Sequence, residues 1–393
     1  MSEAFDTVDP TPTDWKAEAM QRRIRQRYAA ERRFRLIGFA AILISAGFLA
    51  FLLVTMFHDG AQGFVRTEIR IDLTPGQSAM IEAGDHEGAL RQSGARLFSQ
   101  SAWLALRNSG ARLGPVWLPA ADAIDVAAKG EGSAAAERTY AALRAEGRTR
   151  TGINWTFLTG SDATDPTAVG IWGAVKGSLL TMIVTIVLAF PIGVLSAVYL
   201  EEYAPRNRWT DMIEVSINNL AAVPSIIFGL LGLAIFLNVM HLPRSAPIVG
   251  GLTLALMTMP VIVIAGRNAI KSVPPSIRDA ALGIGASRIQ VVLHHVLPLA
   301  MPGILTGTII GMSRALGETA PALMIGMRAF ISAPPGGFSD PATLLPVQIF
   351  LWSDEVGRGF VEKTSAAIIV LLVFLLAMNG LAIYLRNRFE KRW

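Results

Sequence analysis

The sequence predicts an α-helical integral membrane protein with six spanning helices and a small α+β domain inserted after the first of them. Three observations carry this. The 393-residue chain is 52% hydrophobic and only 17% charged, with a mean hydropathy of +0.45, whereas soluble domains carry about a quarter charged residues. Apolar stretches long enough to cross ~30 Å of hydrocarbon recur along it. Its basic residues collect at the ends of those stretches, so the net charge of +5 reads as membrane orientation and not as a nucleic-acid footprint.

The spans follow in order. Leu36–Phe57 is 22 residues without a charge. Its core is too long for a cleaved leader and no Ala-x-Ala site follows, so it is read as an anchor. Gly177–Leu200 supplies the second. Val215–Met240 and Ala246–Ala265 are the third and fourth, split by the turn His241-Leu242-Pro243-Arg244. Met301–Phe330, broken only by Arg314, Glu318, Arg328 and a few hydroxyl residues, is the fifth, and Thr364–Leu385 the sixth. Pro224 and Pro260 are expected to kink the third and fourth spans.

Lys16, Arg22, Arg23, Arg25, Arg27, Arg32, Arg33 and Arg35 precede the first span, and Arg386, Arg388, Lys391 and Arg392 follow the last. Both termini are therefore expected on the cytoplasmic side, which an even number of spans requires. Arg206, Arg208, Arg267, Lys271, Arg278 and Arg288 fall in inner loops by the same count.

That orientation puts residues 58–170 outside. With 11 Lys/Arg and 13 Asp/Glu they form a balanced surface. Thr67–Leu73 alternates like a strand, Ala89–Ser109 carries Leu90, Leu97, Trp103, Leu104 and Leu106 at helical spacing, and Gly130–Ala136 reads as a small-residue linker. This is the α+β insertion, a spacer or packing module by preference. The chain has no cysteine, which excludes disulfides, thiol catalysis and Cys-based zinc sites. His58 and His86 are isolated, so no metal site is expected.

The loop after the fourth span is the most informative stretch. Pro274-Pro275 stops the preceding helix. Ser276 is expected to cap a short helix starting at Ile277, with Asp279 complementing its positive end. Gly283 and Gly285 interrupt it. A second amphipathic helix is expected over Ser287–Leu297, with Ile289, Val292 and Val296 on one face, before Pro298 opens span five. Asp279-Ala280-Ala281, Gly285, Leu297 and Pro298 resemble, at the right spacings, the Glu-Ala-Ala…Gly…Ile-x-Leu-Pro loop of bacterial ABC-importer permeases. Asp279 stands where that family has Glu, and His295 where it has an apolar residue. The resemblance implies a coupling helix that seats in a separate ATPase. The chain has no Gly-x4-Gly-Lys-[Ser/Thr] string, so ATP and Mg are expected on that partner; this chain itself carries no cofactor and is no enzyme.

In span five, Gly303, Gly307, Gly311 and Ala315 recur every fourth residue and allow close approach of another helix. Arg314 and Glu318 lie near the same face, Arg314 about 16 Å along the helix from Gly303, near mid-membrane. A charge at that depth costs at least ~2.5–3.5 kcal/mol. The two residues either neutralise each other as glue between subunits, or Arg314 meets an anion in the pathway while Glu318 positions it. The string Arg314-Ala-Leu-Gly-Glu-Thr-Ala-Pro321 resembles the signature of Pst-type phosphate permeases, specifically their A subunits. Asn154–Gly160, Tyr199–Pro205, Val223–Leu230 and Leu345–Phe350 agree, so the resemblance covers about Ile153–Arg392.

That resemblance implies a type I ABC-importer permease fold (core 171–386) and translocation of inorganic phosphate. It further implies a second homologous permease chain, two ATPase copies and a periplasmic phosphate-binding protein. Ser225 and Thr319 are candidate neutral phosphate contacts beside Arg314 and Glu318. Another oxyanion (sulfate or molybdate) as cargo, or a sensor working through the inserted domain, are the alternatives.

Overall fold

The computed structural model describes residues 18–92, 94–99, 101–110 and 114–389. Lys16, Lys391 and Arg392 of the basic flanks lie outside them. Helix α1 (Glu18–Gly63) contains the whole first apolar stretch.

The insertion begins where α1 ends. Strand β1 (Val65–Leu73) is followed by α2 (Pro75–Glu82), α3 (His86–Gln92) and α4 (Ala102–Ser109). Then come β2 (Gly114–Pro119), α5 (Asp122–Ala128), α6 (Ala134–Ala145), β3 (Thr149–Ile153) and α7 (Trp155–Thr159). The three strands form an antiparallel sheet in the order β2-β1-β3, with Ile69 opposite both Leu118 and Thr149. Ile69, Ile71 and Leu73 alternate onto one face and are buried with Leu90, Leu106, Leu118 and Leu143, as a period-2 strand requires. The expected linker Gly130–Ala136 is only half a linker: Ser133 accepts a hydrogen bond from the Ala136 amide, caps α6 and pulls 134–136 into that helix.

The membrane core starts with α8 (Trp172–Val198), which runs on through a π-turn, Tyr199–Tyr203. The expected third span is not one helix. Helix α9 (Arg208–Ala221) and α10 (Ser225–Gly232, continued as a π-segment Leu233–Val239) meet at 99°. Pro224 sits at the corner with φ −55° and ψ 135°, and its missing N–H and its ring weaken a helix there, so the expected kink is in fact a break. Helix α11 (Pro247–Lys271) keeps Pro260 inside an uninterrupted helix. Among the described residues, five helices are long and apolar enough to span a membrane, and six if the bent pair is counted as one span.

Beyond α11 come α12 (Pro275–Gly283) and α13 (Arg288–Val291), then α14 (Leu297–Gly317) and α15 (Ala320–Met324), and finally α16 (Leu345–Ser353) and α17 (Arg358–Phe389). Helix α14 ends at Gly317 instead of reaching Phe330, because Glu318 turns extended (φ −86°, ψ 114°) and Pro321 cannot continue the ladder.

The small-residue stripe lies against α11 of the same chain. A Cβ on Gly303 would stand 2.7 Å from that of Ala269, one on Gly311 would stand 2.9 Å from Thr258 Cγ2, and one on Gly307 would collide with Ala265.

The insertion joins the core through buried charges. Lys129 Nζ lies 2.8 Å from Asp125 and 2.8 Å from Glu362 on α17. Lys363, only 2% exposed, lies 2.9 Å from Glu362. Asp125 also accepts the Thr67 amide of β1 at 2.6 Å. Beside them Phe64 meets Phe157 edge-on, 5.5 Å between centroids, and Phe157 packs toward Trp352.

Candidate functional site

The loop between α11 and α14 folds as two helices around a glycine bend, and its details differ from expectation in ways that matter. Pro275, not Ile277, is the first helical residue of α12, and Pro274 occupies the cap position without a side-chain bond, so Ser276 caps nothing. Proline suits a first turn because its missing N–H has no intrahelical partner there anyway. The helix ends at Gly283. Gly285 adopts φ +91°, which costs residues with a Cβ roughly 1–2 kcal/mol, and this left-handed residue turns the chain into α13. Ser287 and Gln290 form a reciprocal capping box there.

The second helix is not separate from span five. Val292–Val296 is a π-turn, with the Leu297 amide bonded five residues back to Val292, and Arg288–Gly317 forms one 30-residue helical run. Pro298 lies inside this run. Its ring would press on the carbonyl four residues earlier, and the wider π-turn accommodates it. Helices α13 and α14 are thus one continuous helical run.

The six coupling residues divide by burial. Asp279, Ala280 and Gly285 are exposed. Ala281 is 4% exposed and sits in a core with Ile270, Val273, Val291 and Val296, while Leu297 packs at its margin. Leu297 and Pro298 are half-buried. The expected apolar face of the second helix is also redistributed: Val292 and Val296 are buried while Ile289 is exposed. The outward surface is made by Asp279, Ala280, Leu282, Ile284, Ile289 and Leu293, with Ile284 83% exposed. His294 and His295 are exposed as well.

Sequence reasoning missed what holds this loop. Arg278 Nη2 lies 2.7 Å from Glu202 Oε1, and the same guanidinium donates to the carbonyls of Val273 (2.7 Å) and Ile270 (3.0 Å). Arg267 pairs with Glu214 at 2.8 Å and with Glu201 at 3.4 Å; Lys271 stands 3.8 Å from Glu201. Thus the turn Tyr199–Tyr203, α9, the end of α11 and α12 are tied by one charge network. Its signal was present: Glu201-Glu202 stands in the string Tyr199–Pro205, and three cations stand in the facing loop.

At the other end of α14, Arg314 Nε is 3.8 Å from Glu318 Oε1, with the Arg side chain 51% exposed. Arg314 occupies the last turn of α14, not its middle, and Glu318 lies past the helix end. Their pairing is a long contact across the terminus. Thr319 precedes α15 and Ser225 is the first residue of α10. These two elements pack closely: a Cβ on Gly229 would lie 2.7 Å from Pro321 Cα. Among the described residues, neither Ser225 nor Thr319 hydrogen-bonds to the pair. No cluster of three or more metal-ligating His, Cys, Asp or Glu exists among the described residues.

The described residues thus hold five helices of membrane-spanning length, a bent pair and a paired-helix loop that runs into one of the spans, the frame of a multi-span membrane protein. The chain belongs to the family of binding-protein-dependent transport system inner membrane components, whose profile matches residues 166–392. It is therefore a multi-pass inner-membrane transport component. Its relatives set it among the PstA-type members. It is 32% identical over 221 residues to a phosphate transport system permease protein PstA 1 of Mycobacterium tuberculosis, covering 56% of this chain and 71% of that one. It is 31% identical over 216 residues to the PstA of Yersinia pestis, covering 54% and 71%. It is 34% identical over 172 residues to a probable ABC transporter permease, YqgI, of Bacillus subtilis; that match covers 44% of this chain and spans 58% of the relative. Residues 21–112 match a separate domain of unknown function. A solved inward-facing methionine ABC transporter is similar at 19% identity and a TM-score of 0.46, covering 56% of this chain and 98% of that one.

Proposed function

We propose that this chain is one transmembrane subunit of an ATP-driven importer of inorganic phosphate. Both termini and the 274–298 loop face the cytoplasm, residues 58–170 face outward, and residues 171–386 form the five-helix core. A homologous permease chain completes the pathway. Two copies of an ABC ATPase bind ATP and Mg below it, and a periplasmic binding protein delivers the anion. Asp279, Ala280 and the apolar side chains beside them meet the ATPase, while Ala281, Gly285, Leu297 and Pro298 keep the loop in shape. Arg314 supplies a cation to the passing oxyanion, Glu318 positions it, and Ser225 and Thr319 stand near as neutral donors.

The observation that carries this reading is the mechanical arrangement of the loop. Its outward face sets exposed apolar side chains (Leu282, Ile284, Ile289, Leu293) beside Asp279, Arg288, Gln290 and the two histidines, its inward face is core, and its second helix is continuous with the helix bearing Arg314. The names of the PstA relatives support phosphate as cargo.

The test is ATP-dependent uptake of labelled phosphate by vesicles containing this chain with its permease, ATPase and binding-protein partners. Excess unlabelled phosphate should abolish it. Uptake that phosphate does not compete, but sulfate or molybdate does, would overturn the cargo. In the same vesicles Arg314→Gln should stop uptake with the complex still assembled. Disassembly instead would make the pair with Glu318 structural glue.

A further inference from the structure

Helix α14 has a face that its neighbours leave open. Gly303, Ile310, Arg314 and Gly317 are exposed and Thr306 and Ser313 half-buried, whereas Gly307, Gly311 and Ala315 are buried. At about 100° per residue the open positions fall in one strip roughly 100° wide. Arg314 ends this strip on one side. On the other, about 12 Å along the axis from Arg314 to Thr306, the strip opens into a shallow, solvent-open groove of about 590 Å³ lined by Ala265, Asn268, Ala269, Gly303, Thr306 and Arg386.

The state of Arg386 sets this groove apart. The half-buried arginines Arg66, Arg267 and Arg278 each hold a carboxylate at 2.8, 2.8 and 2.7 Å. Arg386 holds none among the described residues. Its Nη1 and Nη2 reach only Thr306 Oγ1 at 3.5 Å and Asn387 Oδ1 at 3.4 Å. Its Nε is shielded from solvent without a partner among the described residues, an arrangement native proteins avoid unless something else accepts the proton. Thr306 gives its hydroxyl proton to the Pro302 carbonyl at 2.8 Å, so it can accept from the guanidinium but not also donate. Across the groove the Asn268 side chain makes no hydrogen bond among the described residues, leaving its two N–H donors available. A planar fork of donors and a facing amide around open space suit a tetrahedral oxyanion.

We propose that Arg386 and Asn268, with Thr306 positioning the guanidinium, form a second oxyanion station on the open strip of α14, at the end opposite Arg314. The station rests on the reading of that strip as part of the pathway, and it holds the anion before release to the cytoplasm. A lipid phosphate would satisfy the same donors; the station is assigned to the free anion, and the test separates the two.

The chain contains no cysteine, so Ala269→Cys places a single thiol in the groove. In the complex assembled in neutral-lipid vesicles, a negatively charged methanethiosulfonate should label this chain about tenfold faster than a positively charged one, as focused charge predicts. Added inorganic phosphate should protect the thiol. Arg386→Gln in that background should remove both the preference and the protection. Thr306→Asp, which gives the guanidinium a carboxylate without deleting it, should do the same.

Equal labelling by the two reagents overturns the station. So does a preference that survives Thr306→Asp. Protection by vesicles containing phosphatidylglycerol, with none from inorganic phosphate, assigns the site to lipid and overturns it too. These readouts do not need transport, so a complex that fails to take up phosphate refutes the cargo reading alone.

Discussion

Arg278 and Glu202 meet at 2.7 Å although 76 positions separate them, and the carbonyls of Ile270 and Val273 complete the cage around the guanidinium. One side chain thus closes the end of α11, fixes the start of α12 and ties both to the turn after α8. Charged hydrogen bonds of this kind contribute about 1.5–3 kcal/mol each. Glu202→Gln should lower the melting temperature of the purified complex and raise ATP hydrolysis relative to phosphate taken up. The exchange Arg278→Glu with Glu202→Arg should not restore coupling, because the two carbonyls need a donor where the exchange supplies an acceptor. Recovery on exchange would show that only the charge pair matters.

Burial separates two kinds of loop residue. Ala281→Leu should destabilise the fold by about 1–3 kcal/mol through overpacking, since Ala281 is enclosed. Ile284→Ser should leave the melting temperature within about 1 °C, as surface substitutions usually do, yet reduce co-purification of the ATPase. A stable, uncoupled Ala281→Leu complex would contradict this division.

The two glycines of the bend should behave oppositely. Gly285→Ala forces a Cβ into φ +91° and should cost roughly 1–2 kcal/mol. Gly283→Ala adds a methyl within the last turn of α12, where nothing lies within 4 Å, and should be neutral or stabilising by up to ~1 kcal/mol. Thermal melts of both variants decide it.

Asp122, at the start of α5, has its pKa raised to about 6, first by burial and then by Asp165, Asp125 and Glu362, with Lys363 opposing. The folded state holds this proton more tightly than the unfolded chain. The stability that Asp122 contributes therefore falls as pH rises from near 4 through about 6, and stays low above. Asp122→Asn, a permanent mimic of the protonated acid, should melt higher than the wild type at pH 8, by a margin that shrinks markedly towards pH 4.5. An equal shift at both pH values would assign the effect to packing.

Much was legible in the chain itself. The apolar lengths that became α1, α8, α11 and α17 and the alternation at Thr67–Leu73 are local patterns, and a helix or strand period converts them into elements without reference to neighbours. The first half of the loop was nearly as plain, because Pro274-Pro275 and Gly285 set boundaries through their own backbone geometry, whereas Pro298 set none. The stripe at Gly303, Gly307 and Gly311 announced a close helix contact, and α11 supplies it.

What packing alone decided concerns which partner each face receives. Periodicity could not say that Ala281 turns inward while Ile284 turns out, nor that α13 runs unbroken into α14, since a π-turn at Val292–Val296 is a compromise between Pro298 and the surrounding core. It could not place Arg314 in a terminal turn, because the stop at Gly317 comes from Glu318 and Pro321 acting together. Nor could it pair Arg278 with Glu202 and Lys129 with Glu362 while leaving Arg386 without a carboxylate among the described residues. Those outcomes join residues 76 to 233 positions apart, where no local spacing carries information and only the folded arrangement determines who meets whom.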